Sequence, residues 1–494
     1  MYKKKYLCLL IMCLVWATCS QAKDYNASLF GIKSNGTTLN TASIQKAIDY
    51  ISEQGGGTLH FYVGRYLTGT VLLKSNVTVE LHEGAILVGS DNPYDYQEIG
   101  NTHLPAFIGA YKADNIAIVG KGVIDGSGRE LAYNYLDQQQ KGILKDALTY
   151  DRPGYRPQGV YLRECKNVTV KGVIIKSAAG WTFEPDQCEN MLIDSVTVLG
   201  HDFWNNDGID IVDCKNLRLL NSFIDAADDA ICFKSHDANT YSENVEVRNC
   251  TARSSASAIK FGTVTAGGYK NIRLINNKIY NTHRSAVAIE VPDGGAIDNI
   301  FIDSLYAYNT CNAIYLRISD RNANRDPGTM KNITIQNMYC EIPATKADAF
   351  YPYEGPIEDN PRNFSPAIIS GLNGGYDIEN VTLRNIQLVY PGGGNRHYAY
   401  CGLKPADLDS IPELPTAYPE FSNYMELPAW GFWVRHVKNL TFENITLTAK
   451  ERDYRPAIVL QEVEGVTLNN VQYNEPGGSK KQVHTYKAKQ IVQK

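Results

Sequence analysis

A short pattern repeats along most of the chain and constrains its fold more than any other feature. Each copy has an asparagine in third place, an alternating apolar run, a polar break and a second short apolar run, as in CKNVTVKGVIIKS from residue 165. The spacings between Asn190, Asn216, Asn244, Asn271 and Asn299 are 26, 28, 27 and 28 residues. A fixed period of this length without helical patterning predicts a β-solenoid whose coils stack about 4.8 Å apart.

The repeat also predicts what lies inside and outside each coil. Alternate residues of each strand should fill the interior. Cys165, Cys188 and Cys214 share one position of the repeat, so we expect them to stack as an internal ladder rather than to form disulfides. The repeated asparagine is expected to form a ladder of side-chain amides, which is a structural role.

A second set of strands precedes these segments, with GIDIVD from residue 208, AICFKS from 230, AIKFGT from 258 and AIEVPD from 288 as members. The repeat continues nearly to the C-terminus, which predicts one elongated domain of roughly a dozen coils over residues 23–494. The segment TASIQKAIDYISEQGGG has helical periodicity and is predicted to cap the first coil. Interruptions near 127–157, 343–364 and 391–430 predict loops that wall a binding site.

The N-terminal residues have the three parts of a secretory signal. MYKKK is basic, YLCLLIMCLVWA is apolar, and SQA ends at Ala22 with small residues. This order predicts a cleaved signal peptide over residues 1–22 and a secreted or periplasmic protein. Cys19 would suit lipoprotein processing, but Trp16 and Thr18 fit a lipid-attachment box poorly. No later apolar run is long enough to span a membrane.

Charge and cysteine spacing restrict the partners. A net charge of −5 and a pI of about 6.0 give no case for a nucleic-acid or anionic-membrane partner. The cysteines beyond residue 22 form no CxxC pair, so no zinc site is expected, and neither a metal nor a cofactor is predicted. We expect a monomer.

Three aspartates should meet at the start of two neighbouring strands. Asp229 directly precedes AICFKS and Asp207 directly precedes GIDIVD, so they share one column of the repeat on adjacent coils. Asp228 lies one place earlier and Asp210 lies close by. Like charges at this separation raise at least one pKa, which leaves a protonated acid beside an ionised base. Glycosidic cleavage needs such a pair, although a solvated acidic turn or a calcium site would use the same residues.

Several stretches occur in the order seen in the pectin-degrading glycoside hydrolase family 28, among them FGIKSNGTTLNTASIQKAID, KGVIDGSG, NNDGID and DAADDAICFKS. The chain resembles this family over nearly its whole mature length. The resemblance implies a right-handed parallel β-helix and inverting hydrolysis of a pectic polysaccharide or its oligosaccharides, of galacturonate or rhamnogalacturonan type. It also implies that Asp228 is the general acid, that Asp207 and Asp229 activate water, and that Asn205 orients the site.

The chain departs from the family at two cationic motifs. Ser257 stands where the family's Gly-His-Gly motif has its histidine, and Ala288 and Glu290 replace the arginine and lysine of its Arg-Ile-Lys motif. These losses resemble what rhamnogalacturonan hydrolases show and imply an altered specificity. Lys260 and Glu290 are predicted to share the column of Asp210, where they form an ion pair or where Lys260 contacts substrate.

Other predictions stay open at this point. Lys234, near the aspartates, either binds substrate or pairs with an aspartate, and the aromatic stretch YPEFSNYMELPAWGFW is a candidate wall of the cleft. A polysaccharide lyase on the same fold would use the aspartates to hold calcium and Lys260 as the base. A non-catalytic glycan-binding solenoid would explain the aromatic residues but not the close carboxylates.

Overall fold

The structure is a computed structural model that describes residues 23–144, 156–322, 324–351, 365–395, 402–477 and 480–494. The predicted signal peptide and Cys401 lie outside these residues. The described chain is a right-handed parallel β-helix, as predicted. None of its helices is long and apolar enough to cross a membrane.

The first strands are β1 (Lys23–Asn26), β2 (Gly57–Phe61), β3 (Gly64–Thr68), β4 (Val71–Leu72), β5 (Val77–Leu81), β6 (Ala85–Gly89), β7 (Gln97–Glu98), β8 (Pro105–Tyr111), β9 (Asp114–Gly120) and β10 (Val123–Asp125). The middle strands are β11 (Gln158–Arg163), β12 (Lys166–Lys171), β13 (Ile174–Lys176), β14 (Phe183–Asp186), β15 (Glu189–Asp194), β16 (Thr197–Gly200), β17 (Ile209–Val212), β18 (Lys215–Leu220), β19 (Phe223–Ala226), β20 (Ile231–Ser235), β21 (Ser242–Arg248), β22 (Thr251–Ser254) and β23 (Ile259–Thr265). The last strands are β24 (Gly268–Val291), β25 (Ala296–Ile318), β26 (Thr329–Glu341), β27 (Ala367–Ser370), β28 (Ile378–Tyr390), β29 (Phe432–Ala449), β30 (Ile458–Asn474), β31 (Val483–Tyr486) and β32 (Lys489–Gln493).

Parallel pairing between successive coils builds the solenoid. One sheet, called the site sheet below, runs through β4, β8, β11, β14, β17, β20 and β23 and continues through parts of β24, β25, β27, β29 and β30. Inward residues of all sheets form one apolar core that extends from Ala27 to Val483. The strands alternate buried and partly exposed residues where one face meets solvent, as in β5 and β6. The core is therefore continuous along the helix axis.

Helices cover the start of the solenoid and one of its insertions. Helix α1 (Thr41–Glu53) buries Ile44, Ala47, Ile48 and Ile51 against the first coil, which confirms the predicted cap. Helix α2 (Gly128–Gln140) lies in the first interruption, which was predicted to be a loop only; Leu131 and Ala132 bury their side chains in a small separate cluster. Helix α3 (Pro405–Asp409) lies in the third interruption, and short 3₁₀ helices span Ala27–Phe30, Pro93–Asp95 and Phe421–Tyr424.

The cysteine and asparagine ladders are present. Cys165, Cys188 and Cys214 are buried and free, and their neighbours pair in register across β12, β15 and β18. The repeated asparagines donate from one coil to the next, for example from Asn244 Nδ2 to Asn216 Oδ1 at 3.2 Å and from Asn271 Nδ2 to Asn244 Oδ1 at 3.2 Å. They have positive φ angles, a conformation that asparagine tolerates better than other non-glycine residues.

The second-strand register is correct except on one coil. Ile209, Ile231 and Ile259 pair in sequence as predicted, but Ile259 pairs with Val287 rather than Ile289. Lys260 therefore lies beside Ala288, and Glu290 lies two places further along, beside Arg317. The prediction that Lys260 and Glu290 share one column is wrong, because the segment from 288 was aligned two residues out of register.

Two substitutions at Asn244 should distinguish the stabilisation by the ladder hydrogen bonds from the cost of a positive φ at this residue. Asn244→Ala loses both ladder hydrogen bonds and puts alanine, which tolerates a positive φ less well than asparagine, at a φ of 57°, so it should lower the free energy of unfolding by about 2 kcal/mol. Asn244→Gly loses the same hydrogen bonds without the steric penalty and should cost about 1 kcal/mol less than the alanine variant. Equilibrium chemical unfolding measures both. A glycine variant as unstable as the alanine variant would contradict this account.

Candidate active site

The predicted aspartates come together at the start of β17 and β20. Gly208 N donates to Asp229 O at 2.9 Å and Ile209 pairs with Ile231, so Asp207 and Asp229 occupy one column on adjacent coils. Both side chains are buried. Asp228 lies one residue earlier, and its Oδ1 accepts a hydrogen bond from Asp229 N at 2.9 Å. Three carboxylates therefore share one small region at the edge of the site sheet.

Lys234 forms close ion pairs with Asp207 and Asp210. Its Nζ lies 2.7 Å from Asp210 Oδ1 and 3.1 Å from Asp207 Oδ2, and it donates to Cys232 Sγ at 3.0 Å. The ring of Trp181 lies 4.5 Å from the same Nζ. The sequence left open whether Lys234 binds substrate or pairs with an aspartate. The structure contains the charge pair, with two aspartates rather than one.

The surplus of carboxyl groups over cations favours bound protons. Burial and the neighbouring carboxylates raise the pKa of Asp207 well above its ordinary value, although Lys234 opposes this. Burial raises the pKa of Asp210 to about 6, again against Lys234. Burial and Asp229 also raise the pKa of Asp228, while Arg284, Lys234 and Lys260 lower it. A protonated acid beside ionised partners is the arrangement that acid and base catalysis needs.

A further buried carboxyl group was not predicted. Glu184 on β14 occupies the place of Asp210 one coil earlier and is fully buried. Burial, Asp210 and Asp186 raise the pKa of Glu184 well above its ordinary value. Glu184 lies in the segment TFEPDQ, which shows little alternation of apolar and polar residues. This segment was not among the aligned strands. The one signal in the sequence was its place between two aligned strands.

Two residues hold the loop before β17 and were also missed. Asn206 Oδ1 accepts from Asp202 N at 3.0 Å and from Phe203 N at 2.6 Å, and Asn206 Nδ2 donates to Gly180 O at 2.7 Å. Arg156 Nη2 donates to Asn205 Oδ1 at 3.1 Å, and Arg156 Nη1 donates to Trp204 O at 2.5 Å. Asn205, predicted to orient the site, is thus itself oriented by a buried arginine.

Ser257 contributes its backbone to the cluster. Its N–H donates to Asp229 Oδ1 at 2.9 Å, and its carbonyl accepts from Ala230 N at 3.0 Å on the neighbouring coil. The position therefore lies directly beside Asp229. The serine side chain is shorter than histidine and uncharged, so this place adds no cation to the site.

Lys260 and Glu290 form a buried ion pair in spite of the register error. Lys260 Nζ lies 3.2 Å from Glu290 Oε1, and both side chains are 1 % exposed. Asp229 Oδ2 lies 4.0 Å from the same Nζ, and Lys260 donates to Tyr418 Oη at 3.4 Å. Tyr418 itself is 47 % exposed. The positive charge of Lys260 is thus balanced within the protein.

Residues 402–430 of the third interruption cover the outward face of the site sheet beyond the aspartates. Phe421 and Tyr424 pack in one apolar cluster with Ala288, Tyr315 and Trp433. Glu420 Oε2 in the same segment lies 3.0 Å from Arg284 Nε, whose guanidinium is among the cations that lower the pKa of Asp228. The aromatic stretch therefore packs beside the aspartates, where a wall was predicted.

One group of metal-ligand type lies inside this cluster. Oxygen atoms of Asp207 and Asp229 and the Sγ of Cys232 lie within 4.8 Å of one another. Lys234 Nζ contacts two of these three residues. The lysine thus supplies a positive charge at the place where a lyase of the predicted kind would hold calcium.

Comparison with known proteins agrees with this geometry. The model of the glycosyl hydrolases family 28 matches residues 65–296, a span that includes all three aspartates. Over these residues the chain is similar to glycosyl hydrolase family 28. Relatives of the chain include an exo-poly-alpha-D-galacturonosidase from Dickeya chrysanthemi, 28% identical over 391 residues, which cover 66% of this chain and 64% of that protein. A probable polygalacturonase from Vitis vinifera is 26% identical over 308 residues, which cover 57% of this chain and 60% of that protein.

The chain spans less than two thirds of the length of either relative. Among solved structures, a hyperthermoactive exopolygalacturonase from Thermotoga maritima superposes with a TM-score of 0.61 at 23% identity. That superposition covers 74% of this chain and 87% of the other. At this identity it supports the β-helix fold.

Proposed function

We propose that this chain is a member of glycosyl hydrolase family 28 and hydrolyses glycosidic bonds in a pectic polysaccharide or its oligosaccharides. The observation that carries the proposal is the meeting of Asp207, Asp228 and Asp229 on adjacent coils. Asp228 protonates the leaving oxygen, and Asp207 and Asp229 together take a proton from the attacking water. Water attacks on the face opposite the leaving group, so the anomeric configuration inverts.

The substrate differs from plain homogalacturonan at one subsite. Ala288 and Glu290 supply no cation at the positions where the family has arginine and lysine, and Lys260 is balanced by Glu290. A uronate carboxylate would gain little binding energy at this subsite, because no free cation faces it. A neutral sugar such as rhamnose needs no cation and would lose no binding energy. We therefore propose a mixed backbone of the rhamnogalacturonan type as the preferred glycan.

The packing of Phe421 and Tyr424 supports the proposal that the chain cleaves from a chain end. Phe421 and Tyr424 cover the outward face of the site sheet beyond the aspartates, which shortens any groove in that direction. An exo mode is also in keeping with the name of the Dickeya relative. We further propose that the chain is secreted or periplasmic after cleavage at Ala22 and that it acts as a monomer.

Product analysis tests this function. Purified protein is incubated with homogalacturonan, rhamnogalacturonan and oligosaccharides of each, and products are separated by size and checked for ultraviolet absorption. Saturated mono- or disaccharide from the mixed backbone is the expected result. An unsaturated product would indicate a lyase, and cleavage of homogalacturonan alone would contradict the proposed specificity. Binding of these glycans without any product would favour the non-catalytic solenoid.

Arg284 should set the pH range of the proposed acid. Its cation lowers the pKa of Asp228, so Arg284→Met should raise that pKa. A general acid is active while protonated, and activity is lost as the pH rises through its pKa. The alkaline limb of the kcat/KM profile should therefore move to higher pH.

Arg218→Met is the matched control, because Arg218 is an exposed arginine on β18 in another sheet. Its profile should coincide with that of the unchanged protein. An alkaline limb that stays in place or moves to lower pH in Arg284→Met would contradict the assignment of Asp228 as the acid.

A further inference from the structure

Two histidines and a glutamate converge on the outer surface of the first coils, away from the site sheet. His60 lies on β2, Glu80 lies beside it on β5, and His82 follows the end of β5. His60 Nδ1 lies 3.1 Å from His82 Nε2 and 3.3 Å from Glu80 Oε2. His82 Nε2 lies 3.9 Å from Glu80 Oε1. None of these residues takes part in the proposed reaction.

Asp24 determines which nitrogen of His60 carries its proton. His60 Nε2 lies 3.1 Å from Asp24 Oδ1 on β1, and an ionised carboxylate accepts hydrogen bonds only. Nε2 is therefore the protonated nitrogen, and the lone pair of Nδ1 faces His82 and Glu80 in the neutral ring. In that tautomer Nδ1 and the Glu80 carboxylate are two acceptors 3.3 Å apart, and either a bound cation or a proton on Nδ1 relieves their repulsion.

The geometry matches a transition-metal site. A tetrahedral ion with metal–nitrogen distances of about 2.0–2.1 Å separates its ligand atoms by about 3.3 Å. The distances of 3.1 and 3.3 Å from His60 Nδ1 are close to that value. A carboxylate on the remote nitrogen of a ligating histidine, the place of Asp24, recurs in metalloproteins.

Aromatic packing fixes the orientation of the two imidazoles. The ring of Tyr62 stacks on that of His82 with centroids 4.4 Å apart and an interplanar angle of 14°. It also lies nearly parallel to His60, at 6.2 Å and 18°. The His60 side chain is 14 % exposed, so little freedom remains at the central ligand. The ligand atoms are thus held ready for an ion.

We propose that His60, Glu80 and His82 bind one divalent transition-metal ion of the Zn²⁺ class. Three protein ligands leave the fourth position to water. The ion would join β2 to β5 and, through Asp24, hold β1 against the first coil. The site is independent of the proposed hydrolysis and acts on the stability of the N-terminal end of the solenoid.

Metal titration of the tag-free chain tests the proposal. After treatment with chelator and dialysis, calorimetry with Zn²⁺ should give one site per chain, and Co²⁺ should give the visible absorption of tetrahedral coordination. Saturating Zn²⁺ should raise the melting temperature by about 3 °C. Asp24→Asn should keep one site with about 10-fold weaker affinity.

Variants decide whether these residues bind the ion. His60→Ala/His82→Ala should lose binding, and Glu80→Gln serves in its place if the double variant does not fold. His103→Ala is the control, because His103 pairs with Glu98, which is not one of the proposed ligands, and this variant should bind the ion as the unchanged protein does. Absence of binding by the unchanged chain would overturn the proposal. Full binding by the double variant would also overturn it and would direct attention to Asp207, Asp229 and Cys232.

Discussion

Asp228→Asn is expected to lower kcat for pectic glycan hydrolysis by about 10³-fold or more. Asparagine has the size of aspartate and its Oδ1 can still accept the hydrogen bond from Asp229 N, but it has no proton to give to the leaving oxygen. The fold should be unaffected, because asparagine keeps the size of the protonated aspartic acid that it replaces and adds no charge to the buried cluster. Steady-state kinetics and the melting temperature measure the two effects.

Asp137→Asn is the matched control for this variant. Asp137 is exposed on α2 and pairs with Lys141 at 2.6 Å, so its loss should leave kcat unchanged. Asp207→Asn and Asp229→Asn should be as inactive as Asp228→Asn, since each is assigned a part in activating water. An Asp228→Asn protein with a tenth or more of the original kcat would remove Asp228 from the mechanism.

The second large effect is expected on stability, at the buried pair of Lys260 and Glu290. Burial raises the pKa of Glu290 to about 8, and the pKa of Lys260 lies well above its ordinary value because Glu290 and its neighbours outweigh burial. Both groups are therefore charged at pH 9. At that pH, Lys260→Met and Glu290→Gln should each lower the free energy of unfolding by about 3 kcal/mol, because each leaves an unpaired buried charge.

The double variant Lys260→Met/Glu290→Gln should lose less free energy of unfolding than the two single variants together. The difference, which is the coupling energy of the pair, should be about 2 kcal/mol. The coupling should shrink at pH 6, where Glu290 holds a proton. Lys270→Met is the control: its pair with Glu243 spans 3.8 Å, Lys270 is 49 % exposed, and its loss should cost at most about 0.5 kcal/mol. Additive losses of the free energy of unfolding at pH 9 would contradict an ion pair. They would favour the alternative that Lys260 contacts the substrate.

The parts of the fold that obey the repeat were predictable from sequence. The spacing of Asn216, Asn244 and Asn271 predicts both the coil length and the amide ladder, because each coil must bring the same residue back to the same place. The same register brings Asp207 beside Asp229. These predictions needed only the period and the alternation of apolar residues.

The register of Glu290 was not predictable by the same means. A slip of two residues keeps every side chain on its own face of the strand, so Ala286–Val291 reads as the same alternating pattern in either frame. The apolar pattern therefore cannot distinguish the two alignments. The contact between Lys260 and Glu290 survives because the long side chains span the two-residue offset.

Residues supplied by insertions were also beyond the reach of the repeat. Tyr418 is 158 residues from Lys260, and Glu420 contacts Arg284 from the same insertion. No period relates an insertion to the coil on which it packs. Arg156, which orients Asn205, likewise precedes the first strand of its coil and has no counterpart in the aligned segments.

The configuration of the first product tests the central claim most directly. Time-resolved proton NMR of a pectic oligosaccharide incubated with the purified chain shows the anomeric proton of the new reducing end before mutarotation. The proposed roles of Asp207, Asp228 and Asp229 predict a saturated sugar with the configuration opposite to that of the cleaved bond. A retained configuration, or an unsaturated sugar in its place, would contradict the proposed mechanism.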